Sequence, residues 1–113
     1  MVENCLFCKI IAGEIPAKII AETPDAIAFE DINPEAPVHL LVVPRLHVDS
    51  LASASDEAML GHLMAFAARV AEREEIAESG YRTVVNTRQD GGQTVDHLHL
   101  HVLGGRRMTW PPG

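Results

Sequence analysis

Residues 97–102 carry the sequence HLHLHV, in which histidine alternates with an aliphatic residue. Successive side chains of a β-strand point to opposite faces of the sheet. The alternation therefore predicts a strand at Leu98–Leu103, with His97, His99 and His101 on one face and the aliphatic side chains toward the core. The attachment points of neighbouring imidazoles would lie roughly 6.5 to 7 Å apart, near enough to share one ligand or one hydrogen-bond chain.

This histidine face has three possible explanations. A histidine-rich face without a function is the least favoured, because histidine is not among the residues that strands prefer. Three histidines can hold a catalytic zinc ion that keeps one position open for water. Alternatively, one imidazole attacks a substrate as a nucleophile. The spacing alone favours metal binding and nucleophilic catalysis about equally.

A glycine-containing loop, DGGQT at residues 90–94, directly precedes the histidines. Paired glycines allow backbone N–H groups to approach an anion without a Cβ in the way, and Thr94 adds a hydroxyl donor. An ordinary turn would explain Gly91 and Gly92 on their own. The loop and the imidazole face together favour phosphate chemistry.

The whole chain, residues 1–113, predicts a single α+β domain. Its 113 residues, 47% of them hydrophobic, suffice for one core and contain no repeat or linker. We expect a mainly antiparallel sheet, whose first two strands form a hairpin, with one short and one long helix. The predicted elements are a helix at Cys5–Ala12, strands at Ala17–Glu22, Ala26–Asp31, Val38–Val43, Tyr81–Asn86 and Leu98–Leu103, and a long helix from a capping Ser55 to Gly80.

Charge and hydropathy limit the partners. The net charge of -7 disfavours binding to a nucleic acid polymer, which depends on basic surface, but permits a small anionic substrate held by local donors. No segment approaches a membrane-spanning length, and the first residues lack the basic region of a signal peptide. We therefore expect a cytoplasmic protein without a membrane partner.

Two cysteines, Cys5 and Cys8, stand three positions apart. They have the spacing of half a zinc site, and two further ligands must come from elsewhere in the chain. A disulfide between them would close too small a loop to stabilise a fold. A redox motif is less favoured, because it should follow a strand in a βαβ unit. Two buried structural thiols are the remaining alternative.

The chain resembles the histidine-triad family, in particular its Hint branch. The segment HLHLHVLGG at residues 97–105 matches the signature that names the family. Similar sequence extends over nearly the whole chain, at residues 7–11, 14–19, 29–32, 36–39, 80–82, 84–86, 90–93 and 110–113. The resemblance implies a purine nucleoside phosphoramidase that releases a nucleoside monophosphate, also from aminoacyl adenylates. It further implies a homodimer with one continuous sheet across its interface.

The resemblance also implies roles for individual residues. His99 would be the nucleophile, which forms a covalent nucleotidyl-histidine intermediate, and His101 would contact the phosphate. His39 would support the triad. The other nucleotide-binding residues would be Leu6, Phe7, Ile10 and Ile32 at the base, Asp31 at the ribose, and Asn86, Gly92, Gln93 and Thr94 at the phosphate.

A structural zinc ion, one per subunit, is implied by similarity to galactose-1-phosphate uridylyltransferases and to many bacterial histidine-triad proteins. Its ligands would be Cys5, Cys8, His47 and His97, and at His97 it would orient the triad strand.

Two rival functions stay open, a zinc hydrolase that uses the three triad histidines as ligands and a nucleotide-binding interaction protein with vestigial activity. The tail around Trp110 is expected to reach the partner's site, Arg106 and Arg107 are expected to be solvated, and His62 is expected to be a partly exposed helix residue.

Overall fold

A five-stranded antiparallel sheet and two α-helices make up the regular structure of residues 2–113, the part of the chain that the computed structural model describes. The strands lie in the order β1-β2-β3-β5-β4, and each neighbouring pair is antiparallel. The predicted α+β fold is therefore confirmed. The elements are α1 (Leu6–Ile11), β1 (Ile19–Glu22), β2 (Ala26–Glu30), β3 (Val38–Pro44), α2 (Glu57–Arg73), β4 (Tyr81–Val84) and β5 (Leu100–Gly104), with a short 3-10 turn at Leu51–Ser53.

The sheet separates two apolar clusters. On one face, Leu63, Phe66 and Val70 of α2 pack over Leu40 and Val42, together with Leu98, Leu100 and Val102. On the other face, Phe7 and Cys8 of α1 pack against Ile27, Phe29, Leu41 and Val43. β3 is buried on both faces because it lies at the centre of the sheet. The aliphatic residues of the HLHLHV segment thus face the core beneath α2, as predicted.

The histidine segment differs from the expected strand in where its ladder begins. Regular pairing starts at Leu100, and His101 lies opposite Leu41 of β3 and Val84 of β4. His97 and His99 precede this ladder in an extended stretch, which a hydrogen bond from the Leu98 N–H to the Val48 carbonyl (2.7 Å) anchors. The period-two alternation continues through this stretch, so the histidines stay on the α1 side of the sheet.

The long helix is shorter than the sequence suggests. Asp56, not Ser55, is its N-cap, and its side chain accepts a hydrogen bond from the Met59 N–H (3.1 Å). The helix ends at Arg73, well before Gly80, and Glu75 then adopts a left-handed φ of 62°. No helix of residues 2–113 combines the length and apolarity needed to cross a membrane.

The outer strands also have narrower bounds than predicted. β1 begins at Ile19, not Ala17, and β4 ends at Val84, not Asn86. The predicted hairpin between β1 and β2 is confirmed. β4 occupies one edge of the sheet, and residues 85–99 return from that edge to the centre.

Candidate functional site

The short helix α1 brings an aromatic side chain against the histidines. Cys5 caps the helix, because its Sγ accepts the Cys8 N–H (3.3 Å). Phe7 is then buried, with its ring centroid 5.0 Å from that of His99 and 5.9 Å from that of His97, both in edge-to-face geometry. Phe29 supports Phe7 from the sheet, at 5.6 Å. Two imidazole rings are therefore held by packing.

His99 has a defined tautomer. Its Nδ1 lies 2.7 Å from the carbonyl oxygen of His97. A carbonyl oxygen can only accept, so Nδ1 carries the proton and Nε2 of the neutral ring keeps its lone pair. The side chain is buried, and burial lowers the pKa of His99 below its usual value. His99 is therefore a neutral imidazole whose Nε2 can act as a nucleophile.

A second hydrogen-bond chain runs through His39 and His101. The Glu35 N–H donates to Nδ1 of His39 (3.0 Å), so the proton of the neutral ring is on Nε2. This Nε2 lies 2.9 Å from Nδ1 of His101, which therefore accepts, and the remaining proton of neutral His101 is on its Nε2. Asp31 adds a carboxylate oxygen 3.4 Å from Nε2 of His39. We call Asp31, His39 and His101 the histidine relay.

Burial keeps His101 neutral. It lowers the pKa of His101 to about 4, reinforced by the neighbouring imidazoles of His99 and His39 and opposed by Asp31. The ring centroids of His99 and His101 are 5.0 Å apart. A nucleophilic nitrogen on one ring and an N–H donor on the next thus belong to adjacent side chains of one extended segment.

The structure brings together the four predicted metal ligands Cys5, Cys8, His47 and His97, here called the Cys–His cluster. Their ligand atoms all lie within 4.8 Å of one another. Both cysteines are free thiols and buried. Nδ1 of His97 is 3.3 Å from Sγ of Cys5 and 3.6 Å from Sγ of Cys8. Nδ1 of His47 is 3.3 Å from Sγ of Cys8 and 3.2 Å from Nδ1 of His97.

Outer hydrogen bonds orient both imidazoles of this cluster. Nε2 of His97 donates to the Pro44 carbonyl, and Nε2 of His47 donates to Oδ1 of Asp49, each at 2.8 Å. Both Nδ1 lone pairs therefore point toward the thiols. Ligand atoms around a tetrahedral ion bound by two thiolates and two imidazoles lie roughly 3.3 to 3.8 Å apart, close to the spacing found here. The Cys–His cluster fits a tetrahedral metal ion.

The histidine relay also gathers three potential ligands within 4.8 Å, but its hydrogen bonds run the other way. Nε2 of His39 carries a proton where a metal would need a lone pair, because the Glu35 N–H occupies Nδ1. Among residues 2–113, no group of possible ligands unites His97, His99 and His101. This arrangement disfavours a hydrolase in which those three side chains hold the metal.

The loop at residues 90–94 is held together by Gln93. Its side-chain amide donates to the carbonyls of Asp49 (2.7 Å) and Val95 (2.9 Å), and its Oε1 accepts the Arg88 N–H (2.8 Å). The backbone N–H groups of Gly92 and Gln93 are also used within the loop, by Gln89 and Arg88. Gly91 is required for close packing, because a Cβ there would lie 2.4 Å from the Thr87 carbonyl oxygen.

The other predicted nucleotide-binding residues surround this centre with different exposure. Ile32 is 87% exposed and Leu6 is 42% exposed, whereas Ile10 and Asn86 are half-buried. Asp31 accepts the Asn33 N–H through Oδ1 (2.9 Å). Thr94 is exposed and, with Leu6 and neighbours of the Cys–His cluster, lines a cleft of about 380 Å³.

A larger groove of about 820 Å³ lies elsewhere, between α2 and the β1–β2 turn. It is lined by the exposed helical residue His62, by Arg45 and Arg69, and by apolar side chains of α2. The triad histidines are not part of it.

Sequence reasoning missed the groups that set the histidine tautomers. Two of them, the carbonyl of Pro44 and the N–H of Glu35, are backbone atoms, whose positions no residue type reveals. Asp49, which accepts from Nε2 of His47, stands two residues after it, a spacing that by itself indicates no contact. Arg106 is exposed, as expected, and its guanidinium also donates twice to the Glu35 carbonyl, a contact that the sequence did not indicate.

Comparison with known proteins gives a consistent result. The family model for the HIT domain matches residues 12–108. A purine nucleoside phosphoramidase of Escherichia coli is 45% identical over 96% of this chain and 92% of its own length. A HIT-like protein of Synechococcus elongatus is 50% identical over the full length of both chains. The crystal structure of a HIT family hydrolase from Legionella pneumophila is 48% identical, covers 97% of this chain and 100% of its own, and superposes with a TM-score of 0.94.

Proposed function

The chain belongs to the histidine-triad (HIT) family, and on that basis we propose that it is a hydrolase of purine nucleoside phosphoramidates or aminoacyl adenylates. The relative from Escherichia coli that is named a purine nucleoside phosphoramidase supports this substrate class. The observation that carries the proposal is the hydrogen bond from Nδ1 of His99 to the His97 carbonyl, since it leaves the Nε2 lone pair available.

The reaction would proceed in two displacements. Nε2 of His99 attacks phosphorus and the bond to the leaving group breaks. In a phosphoramidate this is the phosphorus–nitrogen bond, and the amine leaves with the electron pair of that bond and takes a proton from solvent. In an aminoacyl adenylate it is a phosphorus–oxygen bond, and the carboxylate leaves with the electron pair and needs no proton. Water then attacks the nucleotidyl-histidine, frees His99 and releases the nucleoside monophosphate. The Nε2–H of His101 would donate to a phosphate oxygen and stabilise the charge there.

Binding of the nucleotide would divide between two groups of side chains. Thr94 and Asn86 would donate to the phosphate, and Gly92 would allow the phosphate to approach closely. Gln93 would hold the loop in place next to the phosphate. Asp31 would accept hydrogen bonds from the ribose hydroxyls. The base would lie against the apolar residues Leu6, Phe7, Ile10 and Ile32.

A zinc ion held by Cys5, Cys8, His47 and His97 would be structural in this proposal, one per subunit. Two thiolates and two imidazoles suit zinc, and the four protein ligands fill a tetrahedral site without an open position for water. His97 gives its ring to this cluster and its carbonyl to His99. The cluster would thus hold the nucleophile in place and take no chemical part in the reaction.

We further propose that the protein is cytoplasmic, forms a homodimer and has no nucleic acid or membrane partner. β4 is an edge strand, and the pairing of two such strands would continue the sheet from one protomer to its partner. Trp110 is 81% exposed at the end of the chain, available to reach the partner's site.

The stereochemical course at phosphorus tests this proposal. A chiral thiophosphoramidate, hydrolysed in isotopically labelled water, should give retention of configuration, because two in-line displacements each invert it. Net inversion would indicate direct attack by water and refute the histidine nucleophile. Binding of a nucleoside monophosphate without turnover of any phosphoramidate or aminoacyl adenylate would indicate the interaction protein instead.

A further inference from the structure

Arg106 lies on the surface just after β5, and its contacts connect it to the histidine relay. We propose that Arg106 is a positioning residue that fixes the tautomers of His39 and His101 through the backbone of Glu35. The inference rests on the proposed function for its effect on turnover, but its structural part can be tested separately.

Arg106 holds the Glu35 carbonyl through two hydrogen bonds, a contact that we call the clamp. Nε and one terminal nitrogen of the guanidinium donate to the Glu35 carbonyl, at 3.1 and 3.0 Å. A rigid guanidinium fork that donates twice restricts the carbonyl more than one flexible donor would. Gly105 allows the segment that carries Arg106 to approach the segment after Glu35. Its φ is 88°, and a Cβ at this position would lie only 2.9 Å from Cβ of Pro37.

The same residue, Glu35, contacts the relay at its other backbone group. Its N–H donates to Nδ1 of His39 (3.0 Å), and its carbonyl is held by Arg106. Both polar groups of the Glu35 backbone are therefore occupied, the N–H by His39 and the carbonyl by Arg106. The guanidinium thus holds in place the donor that decides which nitrogen of His39 carries the proton.

Loss of the clamp changes both rings of the relay. Without the Glu35 N–H at Nδ1, neutral His39 can carry its proton there and turn an Nε2 lone pair toward His101. His101 then holds its proton on Nδ1, and its Nε2 presents a lone pair to the phosphate oxygens. Such a ring repels the anion that it should stabilise.

The expected effect is moderate, because Asp31 favours the same tautomer. Its Oδ2, 3.4 Å from Nε2 of His39, keeps a negative charge beside that nitrogen when the clamp is lost and so favours the proton there. We therefore expect Arg106→Ala to lower kcat by about three- to tenfold, in the range of a single lost hydrogen bond. KM should change by less than about twofold, because Arg106 itself contacts no nucleotide in the proposal.

Nitrogen-15 NMR of histidine side chains tests the structural part directly. In the parent protein, His39 and His101 should each be protonated at Nε2 only, and in Arg106→Ala a large fraction of both rings should be protonated at Nδ1 instead. Arg106→Lys, which retains the charge but supplies a single donor, should fall between the two. Arg107→Ala is the matched control, since it removes the neighbouring arginine and leaves the clamp intact.

Unchanged tautomers in Arg106→Ala, or equal kcat in Arg106→Ala and Arg107→Ala, would overturn the inference. If Arg106→Ala does not fold, Arg106→Lys decides by the same two measurements. A parent protein that turns over neither a phosphoramidate nor an aminoacyl adenylate would refute the proposed function, whereas the tautomer measurement would still decide the role of Arg106.

Discussion

The Cys–His cluster and the histidine relay lie on the same face of one sheet and contain similar ligand atoms, but they suit opposite chemistry. In the cluster, Pro44 and Asp49 accept from the outer nitrogens of His97 and His47, so lone pairs point inward. In the relay, the Glu35 N–H donates to the outer nitrogen of His39, so an N–H points inward. The hydrogen bonds of the outer nitrogens, more than the ligand types, separate a metal site from a donor chain.

His99 stands between the two regions, and its replacement should have the largest effect. His99→Ala should lower kcat at least about a thousandfold, because the nucleophile is lost, while nucleotide affinity stays within a few-fold. Steady-state kinetics and calorimetric titration with a nucleoside monophosphate measure the two quantities. His62→Ala, an exposed histidine on α2, is the control. Turnover close to that of the parent protein would refute the nucleophile assignment.

Removal of one thiolate should disrupt the metal site. Cys8→Ser should reduce bound zinc from about one per chain to almost none and lower the free energy of unfolding by several kcal/mol, because metal binding contributes directly to folding. Metal analysis and urea denaturation are the measurements.

Asp31→Ala, in the relay, is the matched control for that change. It should retain its zinc and lose activity. Equal metal loss in both variants would contradict the separation of the two regions.

Acid should destabilise the relay through His101. Its pKa of about 4 in the folded protein lies below the ordinary 6.5, so the unfolded chain binds more protons between these values. The contribution of His101 to the free energy of unfolding is therefore fully present above pH 6.5. It falls as the pH drops toward 4, by up to about 3 kcal/mol. Urea denaturation of the parent protein and of His101→Gln across this range should give a shallower loss in the variant. Parallel curves would contradict the burial of a neutral His101.

Asp49 should produce the smallest of these effects. Asp49→Asn weakens the acceptor for Nε2–H of His47, and loss of such an outer partner lowers metal affinity by roughly 10- to 100-fold. Competition with a fluorescent zinc chelator measures that affinity. The control is Asp96→Asn. Asp96 is an exposed carboxylate that lines the same cleft of about 380 Å³ as Asp49, and its replacement should leave the zinc affinity unchanged.

Sequence patterns predicted those features that depend on side-chain periodicity. The HLHLHV alternation predicted which side chains face the core, and the spacing of apolar residues predicted the long helix. The N-terminal bound of this helix was one residue off because two capping residues, Ser55 and Asp56, are adjacent. Met64 continues the helical spacing of Leu60 and Ala67 but is 51% exposed, whereas Phe66, outside that spacing, is buried.

The candidate site was predictable to the extent that residue types define it. The spacing of the cysteines indicated half a metal site, and the family resemblance supplied His47 and His97, which the structure brings together. The proton positions were not predictable, because backbone groups distant in sequence determine them. Pro44 and His97, for example, are connected only by the folding of β3 beside the histidine segment.

Trapping the covalent intermediate tests the central claim most directly. Enzyme mixed with an adenosine phosphoramidate, and quenched in base within the first turnovers, should carry one nucleoside monophosphate that tandem mass spectrometry locates on His99. The adduct should be absent from His99→Ala and present in a zinc-loaded His62→Ala control. An adduct on His97 or His101, or turnover without any adduct together with inversion at phosphorus, would contradict the account.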